Sequence, residues 1–226
     1  QEGGSKYQYT FGNLVHRLPL FSSCNHFCPF LLYDFRGLKS YNARTTRLFI
    51  YVKSNFIMGY VYLYVGTGAG KTVNGLGLAL RSVGHGHRVV IVQFMKSWKN
   101  TGEYLVQRKL KPYYKIYLFG REGWINFKHP AKEDKVLAKK ALLFAQNQMK
   151  KAPHLIFLDE LALAANYNLV SRNDVLRVLQ KIPEKTDVVI TGRYCPKWLF
   201  ARADFVNEVK DVKAPEKPVF RKGINY

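Results

Sequence analysis

From about position 60 the chain switches repeatedly between two hydrophobic periods. Tyr60 to Val65 is β-branched and aromatic and reads as a strand; Lys71 to Val83 follows with helical spacing and is closed by Gly84-His85-Gly86. Arg88-Val-Val-Ile-Val-Gln-Phe94 is almost continuously apolar, which predicts a strand buried on both faces. Tyr113 to Leu118 predicts a third strand. Lys132 to Lys150 predicts a helix with Val136, Leu137, Ala141 and Phe144 on its inner side, and Leu155 to Leu158 another buried strand. Ser171 and Asp174 are spaced as a capping box ahead of Val175, Val178, Leu179 and Ile182, and Val188 to Ile190 and Phe205 to Val209 supply two more strands. Strands separated by helices predict an α/β fold with a mostly parallel central sheet, in which ligands bind at the C-terminal ends of the strands.

Residues 1–57 break this rhythm. Apolar clusters there lie among Pro19, Asn25, Pro29 and Asn42, with no sustained period. The domain is therefore expected at 58–226, with 1–57 an N-terminal extension: an irregular segment, or sequence preceding a start at Met58. An acid-poor, Arg-bearing leader is also compatible with an organelle transit peptide. Cys24, His26 and Cys28 are too few ligands for a zinc site when the third cysteine stands at 195. Three cysteines do not form a secreted disulfide framework, which points to a reducing, cytoplasmic setting. No apolar run approaches the roughly 20 residues of a membrane span. The formal net charge is +21, with seven Lys/Arg against two Asp/Glu in 1–57 and 29 against 13 in the remainder. The excess thus belongs to the domain as well, and favours acidic partners without choosing among nucleotides, nucleic acid and anionic surfaces.

The chemistry enters at Val65-Gly66-Thr67-Gly68-Ala69-Gly70-Lys71-Thr72, where the first strand breaks into glycines and ends on Lys-Thr. This reads as a phosphate-binding loop. Glycines let backbone N–H groups turn toward phosphate oxygens, the Lys71 ammonium neutralises charge, and Thr72 carries a hydroxyl suited to Mg²⁺ at a helix N-terminus. The spacing is shorter than usual, with three residues between Gly66 and Gly70 in place of four. Leu155-Ile-Phe-Leu-Asp159-Glu160 supplies the second half of a nucleotide site, a buried strand delivering carboxylates to the same edge, where they hold Mg²⁺ directly or through water.

Seven blocks occur in order: Gly66-x-Gly68-x-Gly70-Lys71-Thr72, Leu78-Ala-Leu-Arg81-Ser-Val-Gly-His-Gly86, Val92-Gln-Phe94-Met-Lys96, Trp98 with Gly102-Glu103, Leu158-Asp-Glu-Leu161, Thr191-Gly-Arg193 and Lys222-Gly-Ile-Asn-Tyr226. Together they resemble the P-loop type of ATP-dependent corrinoid adenosyltransferases, over Gly59 to Tyr226. The resemblance implies a P-loop NTPase (RecA-like) three-layer fold. It also implies a reaction in which the cobalt of a reduced corrinoid attacks C5′ of ATP and triphosphate leaves. Gly66 to Thr72 would hold the triphosphate, with Arg81 and Arg193 as further nucleotide-binding residues. Thr72, Asp159 and Glu160 would hold Mg²⁺, and Lys71, Thr72 and Glu160 would carry the electrostatic catalysis.

The family uses an aromatic segment below the cobalt to expel its lower axial ligand, and Phe119 to Phe127 corresponds to it. Trp124 carries over to that role; Asn126 stands where a second aromatic is common, with Phe127 adjacent. Two other departures are Ala69 for the usual Lys and Val73 for a second Thr, which predict weaker ATP binding. Expected partners are ATP, a corrinoid, an electron donor such as a reduced flavoprotein, and a second copy in a homodimer; neither membrane nor nucleic acid is expected. The rival reading is a basic RecA-like nucleic-acid-binding ATPase, which the domain's charge and its tyrosines would serve. Its weakness is that Lys and Arg are scattered rather than blocked. His85 and His87, beside the glycine that ends the first helix, are expected to be structural, and no partner for His154 is visible.

Overall fold

The computed structural model describes residues 59–217 and 219–225; the N-terminal extension and the Cys24, His26 and Cys28 cluster lie outside the described residues. Six strands form one sheet: β1 (Val61–Val65), β2 (Val89–Phe94), β3 (Tyr114–Phe119), β4 (Leu155–Asp159), β5 (Asp187–Gly192) and β6 (Phe205–Glu208). Their order is β3-β2-β4-β5-β1-β6, and every pairing is parallel. Six helices, α1 (Lys71–Gly84), α2 (Gly102–Val106), α3 (Lys132–Met149), α4 (Leu161–Asn166), α5 (Arg172–Leu179) and α6 (Lys197–Arg202), connect or follow them.

Strand alternation divides the core into two layers. Val90, Val92, Phe94, Ile156, Leu158, Val188 and Ile190 pack with α3, α4 and α5 on one face. Val89, Ile91, Leu155, Phe157 and Val189 point to the other, where Ala79 and Leu76 of α1 meet them. This is the three-layer P-loop NTPase arrangement, with β5 separating the loop strand β1 from the acid strand β4. All six residues of β2 and all five of β4 are buried, as their nearly continuous apolar runs predict, and the two polar exceptions, Gln93 and Asp159, are buried with them. Helix α1 lies close on the sheet because Gly75 has no side chain; a Cβ there would overlap the Phe157 ring. That approach sets the first turn of α1 over the end of β4.

The inner face of α3 matches the expected one at Ala141 and Phe144, which lie in or against the core, and departs from it elsewhere. Ala138, Ala141, Leu142, Ala145 and Met149 are buried, whereas Val136 is exposed. A stripe rich in small alanines gave a weak hydrophobic signal, so larger residues flanking it drew the register. Helices α2, α4 and α6 have five or six residues, too few to display a 3.6-residue period. Ser171 caps α5 by accepting the Asp174 N–H at 3.1 Å, and its hydroxyl donates to the Asp174 carboxylate at 2.6 Å. The edge strand β6 is exposed along its length, and Phe205 stacks on Tyr62 of β1 at 4.6 Å.

Candidate active site

The loop between β1 and α1 makes two left-handed turns, at Gly66 (φ 116°) and at Gly70 (φ 96°), which is the N-cap of α1. Glycine is needed at both because side chains rarely adopt that conformation. A Cβ on Gly66 would also overlap the Val209 carbonyl, and one on Gly68 would stand 2.7 Å from the Asp211 nitrogen. The segment after β6 therefore lies directly against the loop. Gly68 N–H donates to the Val209 carbonyl at 2.9 Å, and Ala69 N–H to the Asp211 carboxylate at 3.0 Å. The Asp211 carboxylate thus sits on one of the N–H groups that the sequence assigns to phosphate. Lys71 is buried, and its ammonium donates to the Gly68 carbonyl at 2.6 Å. Burial pushes its pKa down, Arg193 adds to that effect, and Glu160, Asp211 and Asp159 oppose it.

Thr72 opens the first turn of α1 and donates to Asp159 Oδ1 at 2.9 Å, which joins the two halves of the expected nucleotide site. Asp159 is wholly buried at the end of β4. Its Oδ1 also accepts from Thr191 at 2.6 Å, while Oδ2 accepts from Gln93 at 2.9 Å and from the Lys96 ammonium at 2.7 Å. Four donors saturate a carboxylate's usual acceptor positions. Burial by itself would raise the Asp159 pKa; the Lys96 charge and the bonds from Lys96, Thr191 and Thr72 outweigh it and hold the group below its ordinary value. The strand order explains the convergence. Thr191 is on β5, between β1 and β4, and Gln93 on β2 pairs in register with Asp159.

Glu160 takes a left-handed conformation (φ 65°) at the N-cap of α4, and its N–H donates to Thr191 Oγ1 at 2.9 Å. Its Oε2 is buried without a hydrogen-bond partner. Burial and the neighbouring Asp159 push its carboxyl above the ordinary value, against Lys96, Lys71 and Arg193. An orphaned anionic oxygen beside a threonine-bearing phosphate loop fits a hard divalent cation. Among the described residues no group of three or more His, Cys, Asp or Glu is set to hold a metal by itself.

Farther along the strand ends lie the aromatics. Trp124 is 87% exposed and meets the edge of Trp98, itself 56% exposed, at 6.2 Å and 85°. Trp124 is not packed into the core, so the loop offers its indole outward. Phe127 and Tyr167 are in ring contact at 4.4 Å, and Tyr194 meets Tyr167 edge-on at 6.4 Å. Arg121 braces this loop: it bonds the buried Asp134 carboxylate at 2.7 and 3.3 Å and the Trp124 carbonyl at 3.5 Å.

The structure brings Gly66, Thr67, Gly68, Ala69, Gly70, Lys71, Thr72, Asp159 and Glu160 to one sheet edge. Arg193, exposed just beyond β5, acts electrostatically on Lys71 and Glu160. Arg81 is not brought there. It lies exposed in the last turn of α1, ten residues and so about 15 Å of helix axis from Lys71. Gln93, Lys96, Thr191 and Asp211 were not singled out individually as site residues. The signal for Gln93 is a lone amide in an otherwise apolar strand, and for Thr191 a hydroxyl ending another; Lys96 closes the block Val92-Gln-Phe94-Met-Lys96 without a role attached to it, and nothing local marks Asp211. His154 does have partners, Ser82 Oγ at 2.8 Å from its Nδ1 and the His87 ring stacked at 4.1 Å, which supports the structural reading of that end of α1.

Residues 58–226 match the model of the family ATP:corrinoid adenosyltransferase BtuR/CobO/CobP. The chain belongs to this family. A corrinoid adenosyltransferase from Sinorhizobium sp is 31% identical over 169 residues, covering 74% of this chain and 77% of the relative. The corrinoid adenosyltransferase of Escherichia coli K12 is 30% identical, covering 69% and 78%, and the corrinoid adenosyltransferase CobA of Salmonella typhimurium 32%, with the same coverage. Membership makes this an enzyme family of ATP-dependent adenosyl transfer to corrinoids, and displaces the reading as a nucleic-acid-binding ATPase. Among the described residues no helix is long and apolar enough to cross a membrane.

Proposed function

We propose that this chain transfers the 5′-deoxyadenosyl group of ATP to the cobalt of a reduced corrinoid through the site built on Gly66 to Thr72, Asp159, Glu160 and Trp124. The observation that carries the assignment of residues is the joining of the phosphate loop to the acid strand through Thr72 and Asp159 beside the orphaned Glu160 oxygen. In the reaction Co(I) donates an electron pair to C5′, the bond from C5′ to its oxygen breaks, and that pair leaves on triphosphate. The nucleophile is the metal of the substrate, so the protein needs no catalytic base. Its work is to hold C5′ in line and to meet the charge growing on the leaving oxygens.

Lys71 and the N–H groups at the head of α1 supply that charge from a preorganised loop. The Lys71 ammonium exchanges the Gly68 carbonyl for phosphate oxygen when nucleotide binds, and Asp211 yields the Ala69 N–H. Thr72 and Glu160 would hold Mg²⁺, which when bound supplies Lewis-acid neutralisation of the triphosphate. Asp159, already saturated, orients Thr72. Arg193 adds positive charge at the rim. Trp124 lies against the lower face of the corrin and keeps an axial ligand away, which eases reduction of Co(II) to Co(I).

The electron comes from a one-electron donor such as a reduced flavoprotein, and the working unit is a homodimer in the cytoplasm, where ATP and reductant are both present. Residues 58–226 are the catalytic unit, so a chain beginning at Met58 should unfold cooperatively and retain transfer; aggregation or inactivity of that chain would contradict the boundary. The reaction itself is tested by incubating the protein with chemically reduced cobalamin and ATP and following the absorbance change that accompanies cobalt–carbon bond formation. Bond formation with stoichiometric triphosphate supports the assignment. ATP turnover stimulated only by a polynucleotide would replace it with the rival reading.

A further inference from the structure

Lys96 does not belong to the phosphate loop, yet its ammonium is placed at the metal end of the site. It lies 2.7 Å from Asp159 Oδ2 and 3.4 Å from Thr72 Oγ1, the hydroxyl assigned to the cation. The placement is built into the backbone. Met95, the residue before it, is held in a left-handed conformation (φ 60°), uncommon for a non-glycine side chain. At the adjacent strand end, a Cβ on Gly120 would stand 2.5 Å from the Lys96 nitrogen, so only glycine lets the two turns close together. The Lys96 side chain is one-third exposed while Asp159 is sealed, so the ammonium reaches in from the open side of the site.

We infer that Lys96, anchored on Asp159, is a positioning residue that occupies the cation place at the Thr72 hydroxyl before nucleotide arrives, and so makes Mg²⁺ binding depend on the triphosphate. The inference rests on the assignment of Thr72 and Glu160 to the metal. A dication beside an ammonium a few ångströms away is repelled, and the low-dielectric surroundings of Asp159 strengthen that repulsion. Asp159 and Glu160 are opposed by Lys71 and Lys96, so the empty site has little net negative charge with which to draw a metal. Triphosphate adds several negative charges at once. Lys96 then keeps Asp159, releases the Thr72 hydroxyl, and the cation enters together with the phosphate oxygens. This excludes adventitious metal from the edge where the corrin approaches, and it keeps Asp159 compensated throughout, since an unpaired buried carboxylate would be costly.

The test uses Mn²⁺ as a paramagnetic substitute, titrated into the full chain with the free-ion EPR signal as readout, first alone and then with inorganic triphosphate. Wild type should take up Mn²⁺ only weakly alone and at least about tenfold more tightly with triphosphate than expected from the triphosphate's own affinity for the ion. Lys96→Met should bind Mn²⁺ alone at least about tenfold more tightly than wild type, and Lys96→Arg, which keeps the charge, should behave as wild type. Arg193→Gln removes a like charge from the exposed rim, where salt screens it, and should change uptake by less than about threefold. Tight Mn²⁺ uptake by wild type without triphosphate would overturn the inference, with or without a folded Lys96→Met. So would a folded Lys96→Met that binds no more tightly, or an equal gain from Arg193→Gln. Absence of protein-bound Mn²⁺ even with triphosphate would instead remove the metal assignment on which the inference stands.

Discussion

At the phosphate end of the site Asp159 is sealed from solvent and its two oxygens take four hydrogen bonds, from Thr72, Thr191, Gln93 and Lys96. At the other end Trp124 is 87% exposed, and the loop that carries it is tied to the domain through the Arg121 contact to Asp134. The first region is drawn from four strands and the head of α1, so its backbone frame is fixed by the fold, and only the contacts of Lys71, Asp211 and Lys96 have to be exchanged when nucleotide binds. The second presents two exposed indoles, Trp124 and Trp98, in edge contact. The contrast suits the two substrates. Triphosphate is flexible, highly charged and must be held against a growing negative charge, which calls for preorganised dipoles and cations. A corrin is large and rigid, and asks mainly for aromatic faces that exclude water and an axial ligand.

Disrupting the rigid end should have the larger consequences. Asp159→Ala removes the partner of Lys96 and the acceptor of three other donors; a loss of about 3 kcal/mol is expected, roughly 6–12 °C in melting temperature, with ATP affinity falling as Thr72 is released. An unchanged melting temperature would mean the network relaxes at little cost. Lys71→Ala should keep the fold and weaken ATP binding by about 3 kcal/mol, or roughly 100-fold by calorimetry. Unchanged affinity would take the loop out of the mechanism.

Smaller effects separate stability from function at the same end. The Glu160 carboxyl has its folded pKa raised, so its contribution to stability is full below its ordinary value of 4.5 and is lost as pH rises through the folded value. Glu160→Gln should therefore stabilise the ligand-free protein at pH 7 by about 1 kcal/mol, or roughly 2–4 °C, while weakening Mg²⁺-ATP binding. Near pH 4 the stability gain should shrink; a gain that stays constant with pH would assign it to packing. Asp211→Asn leaves a neutral acceptor at the Ala69 N–H and should tighten ATP severalfold, about 1 kcal/mol or less for an exposed charge. Looser binding would show that Asp211 supports the loop rather than competing with phosphate.

The two ends also differ in how far the sequence disclosed them. Glycine spacing, Lys71, Thr72 and the carboxylates after an apolar strand were legible because each is local: a few adjacent residues carry the whole signal. The sheet itself was legible for the same reason, since β2 and β4 are runs of four apolar residues each before Gln93 and Asp159. The Asp159 network was only half visible. Its other donors come from separate strands brought together by the order β2-β4-β5-β1, which no local pattern encodes. Asp211 is farther still, 142 residues from the Ala69 N–H it accepts. Arg81, assigned only through the family resemblance, stands in the last turn of α1, because a helix carries the chain steadily away from the loop. At the aromatic end Trp124 was legible as a residue type, but its exposure and its edge contact with Trp98 are products of the turns after β2 and β3.

The division of labour between the ends is tested most directly by measuring adenosyl transfer by Trp124→Ala in two assays, one starting from Co(II) with a mild reductant and one from chemically prepared Co(I). The rate relative to wild type should collapse in the first and change little in the second, because on this proposal the exposed indole acts on reduction while the phosphate end holds the triphosphate that leaves as Co(I) attacks C5′. Since Trp124 is outside the core, its removal creates no buried cavity, and the melting temperature should hold. Equal losses in both assays would contradict the account, as would full activity in both.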